Sequence, residues 1–541
     1  MADQQDSNVV EIRYCEEDSP KTVSGDETWY LVEVNEFGEW GATYKKVARR
    51  PFRSDRQRRK GTTVGVDLAQ GFDIDVLQAQ HQDLLQGFFV ANLEEKAQVV
   101  NDAGTEITNV DGVNDDYEGA GLDVFIEGDL IFATGFDDDE NNGLKTVASG
   151  GSAASCPVEE DLTADASPAQ TSGGVRGATL TKVGFEFAAD DLAVTTSGSY
   201  ATYTCTAGDF TDLGLVPGEW IYVGGDTAGA AGNQFPTNAV NNGWKRVKSI
   251  AANALVIDKS ESDIVTETPA GGETIQIFIG RLYRNRTTQA NQIKRTYQFE
   301  RSLGIPDFSG NPTHIQADYL TGCSANTFQF NYVPEDKVTA TLGLVPSGYE
   351  TVSAGAPPNI KSAVAAAGSG AAPALIEEDA FNTDADFSRL RLAVISTSDE
   401  APTPLFTNLE NLTLTINNNI NPNKALAVRG SASNSYGIFE VTGSMTGYFE
   451  DVASIDAMKD NDDVTLDLVM VKGSSGAKTG IAFDVPLVSL GDGRPNLEMD
   501  AKIKLPLTAD AASGAQYDTN MDHTLLVNFF DYLPDAADVE I

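Results

Sequence analysis

Apolar residues recur at every second position in several stretches of this chain, and that period admits few folds. Leu412, Leu414 and Ile416 share one face of LTLTI, and Val464, Leu466 and Leu468 share one face of VTLDL. Side chains of a strand alternate between its two faces, so each stretch reads as a half-buried strand. Val64–Leu68, Thr274–Ile279, Phe328–Tyr332, Phe439–Thr442, Lys502–Leu505 and Thr524–Phe530 read the same way. Helical spacing is confined to two short stretches, Leu77–Ala91 and Val452–Lys459. The fold class is mainly β with a few helices.

A weak repeat lies in the middle. Gly128-Asp-Leu-Ile-Phe132, followed by Asn141-Asn-Gly-Leu-Lys-Thr-Val147, is echoed by Gly218-Glu-Trp-Ile-Tyr222 and Asn241-Asn-Gly-Trp-Lys-Arg-Val247. The first block repeats at an offset of 90 residues and the second at 100, so one copy carries a longer loop. Each copy reads as strand, I′-type hairpin at Asn-Gly, strand. The expectation is two tandem β-modules, 118–180 and 181–270, between polar linkers at Ser149–Ala154 and Ser172–Gly177. They divide an N-terminal arm (1–44) and a first segment (45–117) from a second segment (271–541). Within the latter, Ala354–Ala374 is too rich in Gly, Ala and Ser to bury much and reads as an extended or mobile loop.

At 541 residues the chain is long enough for two to four packed units. Its 37 Lys and Arg against 80 Asp and Glu leave a formal charge of −43, which argues against general nucleic-acid binding and suits either solubility at high concentration or a conduit that does not hold DNA. Cys15, Cys156, Cys205 and Cys323 are far apart with no CxxC pair, and read as free thiols of a reducing cytosol. The N-terminus MADQQDSNVVE lacks the basic start and apolar core of a signal peptide, and no 18-residue apolar run exists to span a membrane.

The motifs that suggest chemistry fail on spacing. The acidic run at Asp137–Glu140 puts Asn142 or Ser149 where an EF-hand needs its glycine or its last acid. In Gly473-Ser-Ser-Gly-Ala-Lys-Thr-Gly480, Ala477 replaces the glycine before the lysine of a phosphate loop, and a hairpin loop fits better. His81, His314 and His523 are scattered, and neither HExxH nor GxSxG occurs. With 80 acids, close carboxylate pairs are guaranteed and uninformative. No enzyme, metal site or cofactor is expected.

One basic cluster stands out: Lys45, Lys46, Arg49, Arg50, Arg53, Arg56, Arg58, Arg59 and Lys60. It reads either as a solvated loop or as a contact arm that registers a −43 subunit against acidic neighbours.

The stretch Arg53-Ser-Asp-Arg-Gln-Arg-Arg-Lys-Gly-Thr-Thr-Val-Gly-Val-Asp-Leu68, with Gly71-Phe-Asp-Ile-Asp-Val-Leu77 and the Leu84-Leu85 helix, resembles the opening of tail tube proteins of long, non-contractile-tailed bacteriophages. Thr296–Arg301, Tyr319–Phe330, Val338–Gly343, Leu412–Ile420, Phe439–Glu450 and Val464–Leu468 resemble its later strands, so the likeness covers about 45–100 and 281–535. A long insertion before Thr296 is the departure. The resemblance implies a β-sandwich or barrel with a short flanking helix, assembled in the host cytoplasm as six-fold rings stacked head to tail around a DNA channel. The implied partners are further copies of the chain, a tape measure protein, a tail terminator and distal tail proteins, with DNA passing through unbound. The basic arm and the 354–374 loop are expected to meet neighbouring subunits or rings. The alternative is a baseplate or adhesin-like virion protein whose small modules bind host glycans.

Overall fold

Strands dominate the computed structural model, which describes residues 10–25, 27–48, 52, 54, 57, 59–77, 82–170, 177–196, 200–303, 316–352, 360–362, 378–396, 399–497 and 499–537. Sixteen of them form one antiparallel sheet, drawn from Glu11–Asp75 and from Arg281–Leu533. Its hub is Ala317–Tyr332. The first half of that strand pairs with Tyr297–Ser302 and Gly348–Val352, the second with Thr339–Val345 and Leu409–Asn417. Gly322 at φ 61° and a bulge between Ala325 and Thr327 mark the change of partners. The sheet therefore folds over on itself around one core that includes Phe72, Phe299, Phe328, Leu342, Leu414 and Phe483.

Both expected helices form, the first shortened and the second shifted by one residue. Gln82–Phe89 buries Leu84, Leu85, Phe88 and Phe89, with Phe88 edge-on to Phe328 at 5.1 Å and Phe89 stacked on Tyr283 at 5.6 Å. Val90, at φ 53°, leaves the right-handed region and ends it. Gly87 lets the helix approach the sheet closely, because a Cβ there would stand 2.6 Å from the Tyr297 ring. Ala453–Asp460 ends at left-handed Asn461, whose N–H donates to the carbonyls of Ala457 and Met458.

A second sheet of ten strands and a small one of three are built from residues 98–278. One face of the ten-stranded sheet, with Leu130, Trp220, Tyr222 and Trp244, packs on Val469, Val471, Phe530 and Tyr532 of the first sheet. This corrects the half-buried reading of VTLDL. Val464, Leu466 and Leu468 face the main core as the alternation requires, but Thr465, Asp467 and Val469 are buried under the second sheet. LTLTI does keep a partly exposed face, at Thr413 and Thr415. The Asn-Gly reading also needs correction. Asn141 closes a 3-10 turn, Asn142 is extended at φ −95°, and Gly143 alone is left-handed, so the turn is not type I′.

Of the 354–374 stretch, Ile360–Ser362 is described and docked: the Ser362 hydroxyl donates to Glu300 at 2.6 Å and the Lys361 N–H to the Tyr319 hydroxyl at 3.1 Å. The four cysteines are free, as expected, and all are buried.

Replacing Gly87 with Ala is expected to destabilise the fold by about 1–3 kcal/mol, the usual cost of overpacking. Urea unfolding followed by tryptophan fluorescence measures it.

Candidate assembly surface

Glu36–Val47 and Thr62–Asp75 form a long hairpin, anchored at one end by a third strand and, among the described residues, paired with no further strand toward the other. From Gln70 to Asp75 the inner strand also pairs with Thr339–Val345, and Phe72 and Ile74 are buried. Beyond Gln70 that support stops. The outer strand has no partner on its second side among the described residues. Phe37, Tyr44, Val47 and Val64 on this hairpin are between 41% and 60% exposed. A long strand edge with exposed apolar side chains is unfavourable in water and is relieved when another chain covers it.

Charge concentrates toward the end away from the third strand. Asp67 is held between Lys45 and Lys424, the latter at 2.5 Å, and hydrogen bonds from both lysines pull its carboxyl below the usual range. Lys46, Arg59 and Lys60 are exposed. Arg49, Arg50, Arg53, Arg56 and Arg58, the remaining contact candidates, lie outside the described residues.

A second feature, which the sequence reading missed, sits between the two large sheets. Asp467 and Asp484 are directly opposed on neighbouring strands, and both are buried. Like charges so placed repel unless cations intervene. Arg246 of the inserted sheet donates to Asp484 at 3.0 and 3.2 Å and forks onto Asp258 at 2.8 and 2.9 Å. Lys259 reaches Asp467 at 3.0 Å and Asp484 at 3.6 Å, and Arg389 closes on Asp467. His523 Nε2 lies 3.4 Å from Asp484. Burial alone would raise both carboxyls. For Asp484 the charges of Arg246 and Lys259, and for Asp467 those of Arg389 and Lys259, outweigh it and hold each below the ordinary value. The available signal was a carboxylate inside each of two otherwise apolar strands, VTLDLVMV and IAFDVPL.

Of the motifs rejected on spacing, the acidic run leads into a 3-10 turn and the glycine-rich stretch is a hairpin loop, while His81 and His314 lie outside the described residues. Gly473–Ala477 is the tight loop joining Val464–Lys472 to Lys478–Asp492, with Gly473 and Gly476 left-handed. Among the described residues no three His, Cys, Asp or Glu side chains are grouped to hold a metal ion. Burial pushes the thiols up, Cys205 to about 11 and Cys156 to about 12. No helix of the described residues is long and apolar enough to cross a membrane.

Sheets packed around a common core, with a long open-edged hairpin among the described residues, suit a structural β-subunit. The family model described as phage tail tube protein matches residues 7–511, nearly the whole chain, and the chain belongs to that family. No curated protein matches it. It is a structural component of the phage tail, and membership in this family implies self-assembly.

Replacing Asp484 with Asn leaves Arg246 and Lys259 undercompensated in a buried site, at an expected cost of about 3–5 kcal/mol at pH 7. The native carboxyl titrates below its unfolded value near 3.9, so its stabilising contribution is complete above that pH and fades as pH falls below it. The stability gap between wild type and D484N, from urea midpoints, should therefore be constant from pH 7 to 5 and narrow below about pH 4.

Proposed function

We propose that this subunit polymerises as stacked hexameric rings into the tail tube of a long, non-contractile tail, the channel through which DNA passes into the host. The single observation that carries the reading is the open-edged hairpin on a chain of the tail tube family. Rings that stack head to tail use different surfaces on their two sides, and such interfaces generate open filaments. The hairpin supplies one: backbone donors and acceptors along Glu36–Val47, apolar contact from Tyr44, Val47 and Val64, and a basic end at Arg59 and Lys60. A basic end on a subunit of charge −43 finds acidic surface on any neighbouring copy.

The same net charge gives the channel its mechanism. Lumen carboxylates repel phosphate, so a duplex passes without being held. The tube core in this reading is residues 10–96 and 280–537, with 97–279 inserted on its outer side. Further partners are the tape measure, terminator and distal tail proteins, and assembly takes place in the host cytoplasm before the subunit enters the virion.

Negative-stain electron microscopy of the purified chain at high concentration is expected to show rings or hollow tubes. Replacing Val47 and Val64 together with Asp should abolish them while shifting the melting temperature of the monomer little, since both sites are exposed. Persistent monomers of the wild-type chain would contradict the tube reading and favour a baseplate or adhesin-like role.

A further inference from the structure

The internal repeat extends to atoms far outside the two short blocks that reveal it. Gln98, Val99 and Val100 pair with Thr181, Leu180 and Thr179. Gly184, Phe185 and Glu186 pair with Phe278, Ile277 and Gln276 in the same register, 86 residues later on one strand and 97 on the other. Phe132 opposes Thr181 as Tyr222 opposes Phe278. The Gly128 N–H donates to Val147 at 2.9 Å, and that of Gly218 to Val247 at 2.7 Å. The Tyr117 hydroxyl donates to the Asn141 carbonyl at 2.7 Å, and that of Tyr203 to Asn241 at 2.5 Å. The Asn141 side chain accepts from Thr163 N–H at 2.8 Å, and that of Asn241 from Val265 N–H at 2.9 Å.

We infer that residues 97–279 are two copies of one β-module sharing a strand, and that the second copy alone carries the charges that fasten the insertion to the tube core. The shared strand is Thr179–Glu186, which closes copy one with its first half and opens copy two with its second. Each copy begins and ends at one place. The Lys182 N–H donates to Ala97 at 2.8 Å, and the Ile279 N–H to Val183 at 2.8 Å. Just outside, the Glu94 N–H donates to Leu282 at 2.9 Å, so the core is already closed across the gap. A copy is therefore removable or repeatable without moving the core.

The two copies differ where they meet that core. The pairing of Val147 with Val158 corresponds to that of Val247 with Ile257. Thr146 and Glu160 in copy one thus occupy the places of Arg246 and Lys259 in copy two. Only copy two brings cations to Asp467 and Asp484. Copy one meets the core through apolar side chains, such as Phe132 against Tyr532 at 5.1 Å. Losing copy one removes apolar contact alone, whereas losing copy two strips Trp220, Tyr222 and Trp244 from Val469, Val471 and Phe530 and leaves the facing carboxylates Asp467 and Asp484 without Arg246 and Lys259.

Three variants of the chain test this, whether or not the subunit forms rings: one lacking residues 97–182, one lacking 183–279, and one with a second 97–182 placed after Lys182. The first and third should be soluble, with native near-ultraviolet circular dichroism and one cooperative melt within about 10 °C of wild type. The second should lose its cooperative melt. A second variant that melts like the first overturns the division of labour. A first variant that fails to fold overturns the dispensability of copy one, and failure of the third as well overturns the shared-strand module itself.

Discussion

Two carboxylates that face each other in a dry interface set the terms for the rest of this molecule. Asp467 and Asp484 stand opposite one another on adjacent strands of the main sheet, on the side away from its core. Left to solvent they would be an ordinary acidic patch on an already acidic protein. Covered by a second sheet, they are tolerable only because Arg246 and Lys259 arrive with the cover and Arg389 comes from beside them. Three anions, Asp258, Asp467 and Asp484, meet three cations. Such a network adds little net stability over an apolar contact, but it discriminates strongly against misplacement, because any shift leaves a buried charge without its partner. The apolar contacts around it, Trp244 on Phe530 among them, supply the attraction.

That arrangement changes what the insertion is. Flexible linkers and a free-standing module would suit an appendage that searches for ligands. Here the inserted sheet covers Val469, Val471 and Phe530, so the main sheet is buried on both faces where it passes beneath. Cutting at residues 118 and 270 would sever the three-stranded sheet, remove Arg246 and Lys259, and leave the Gln98–Val100 strand without Thr179 and Leu180. The inserted sheet and the main sheet are packed through one apolar interface, as parts of one body.

The main sheet was legible because one-sided burial writes itself as alternation: Leu412, Leu414 and Ile416 point inward, and the intervening threonines do not. The same rule misled at Val464–Lys472, where Asp467 looks solvent-facing until a second sheet is laid over it. No local pattern announces a cover that is encoded two hundred residues earlier. The repeat was visible at Asn141 and Asn241 because a buried side-chain amide that both donates to and accepts from a segment more than twenty residues away tolerates few substitutes. The limits inferred for it from pairing were not visible, because strands such as Gln98–Val100 share register but not sequence with their counterparts. The basic cluster pointed to the hairpin, while the open edge that makes the hairpin an assembly surface is a matter of pairing, which composition does not record.

Native-state hydrogen exchange tests most directly whether the inserted and main sheets form one cooperative body. In one body, core amides of Gly243–Ala251 and of Val464–Lys472 exchange through a common opening of similar free energy, and D484N lowers both together. Exchange of Gly243–Ala251 through a separate, lower-energy opening that leaves Val464–Lys472 protected would contradict it.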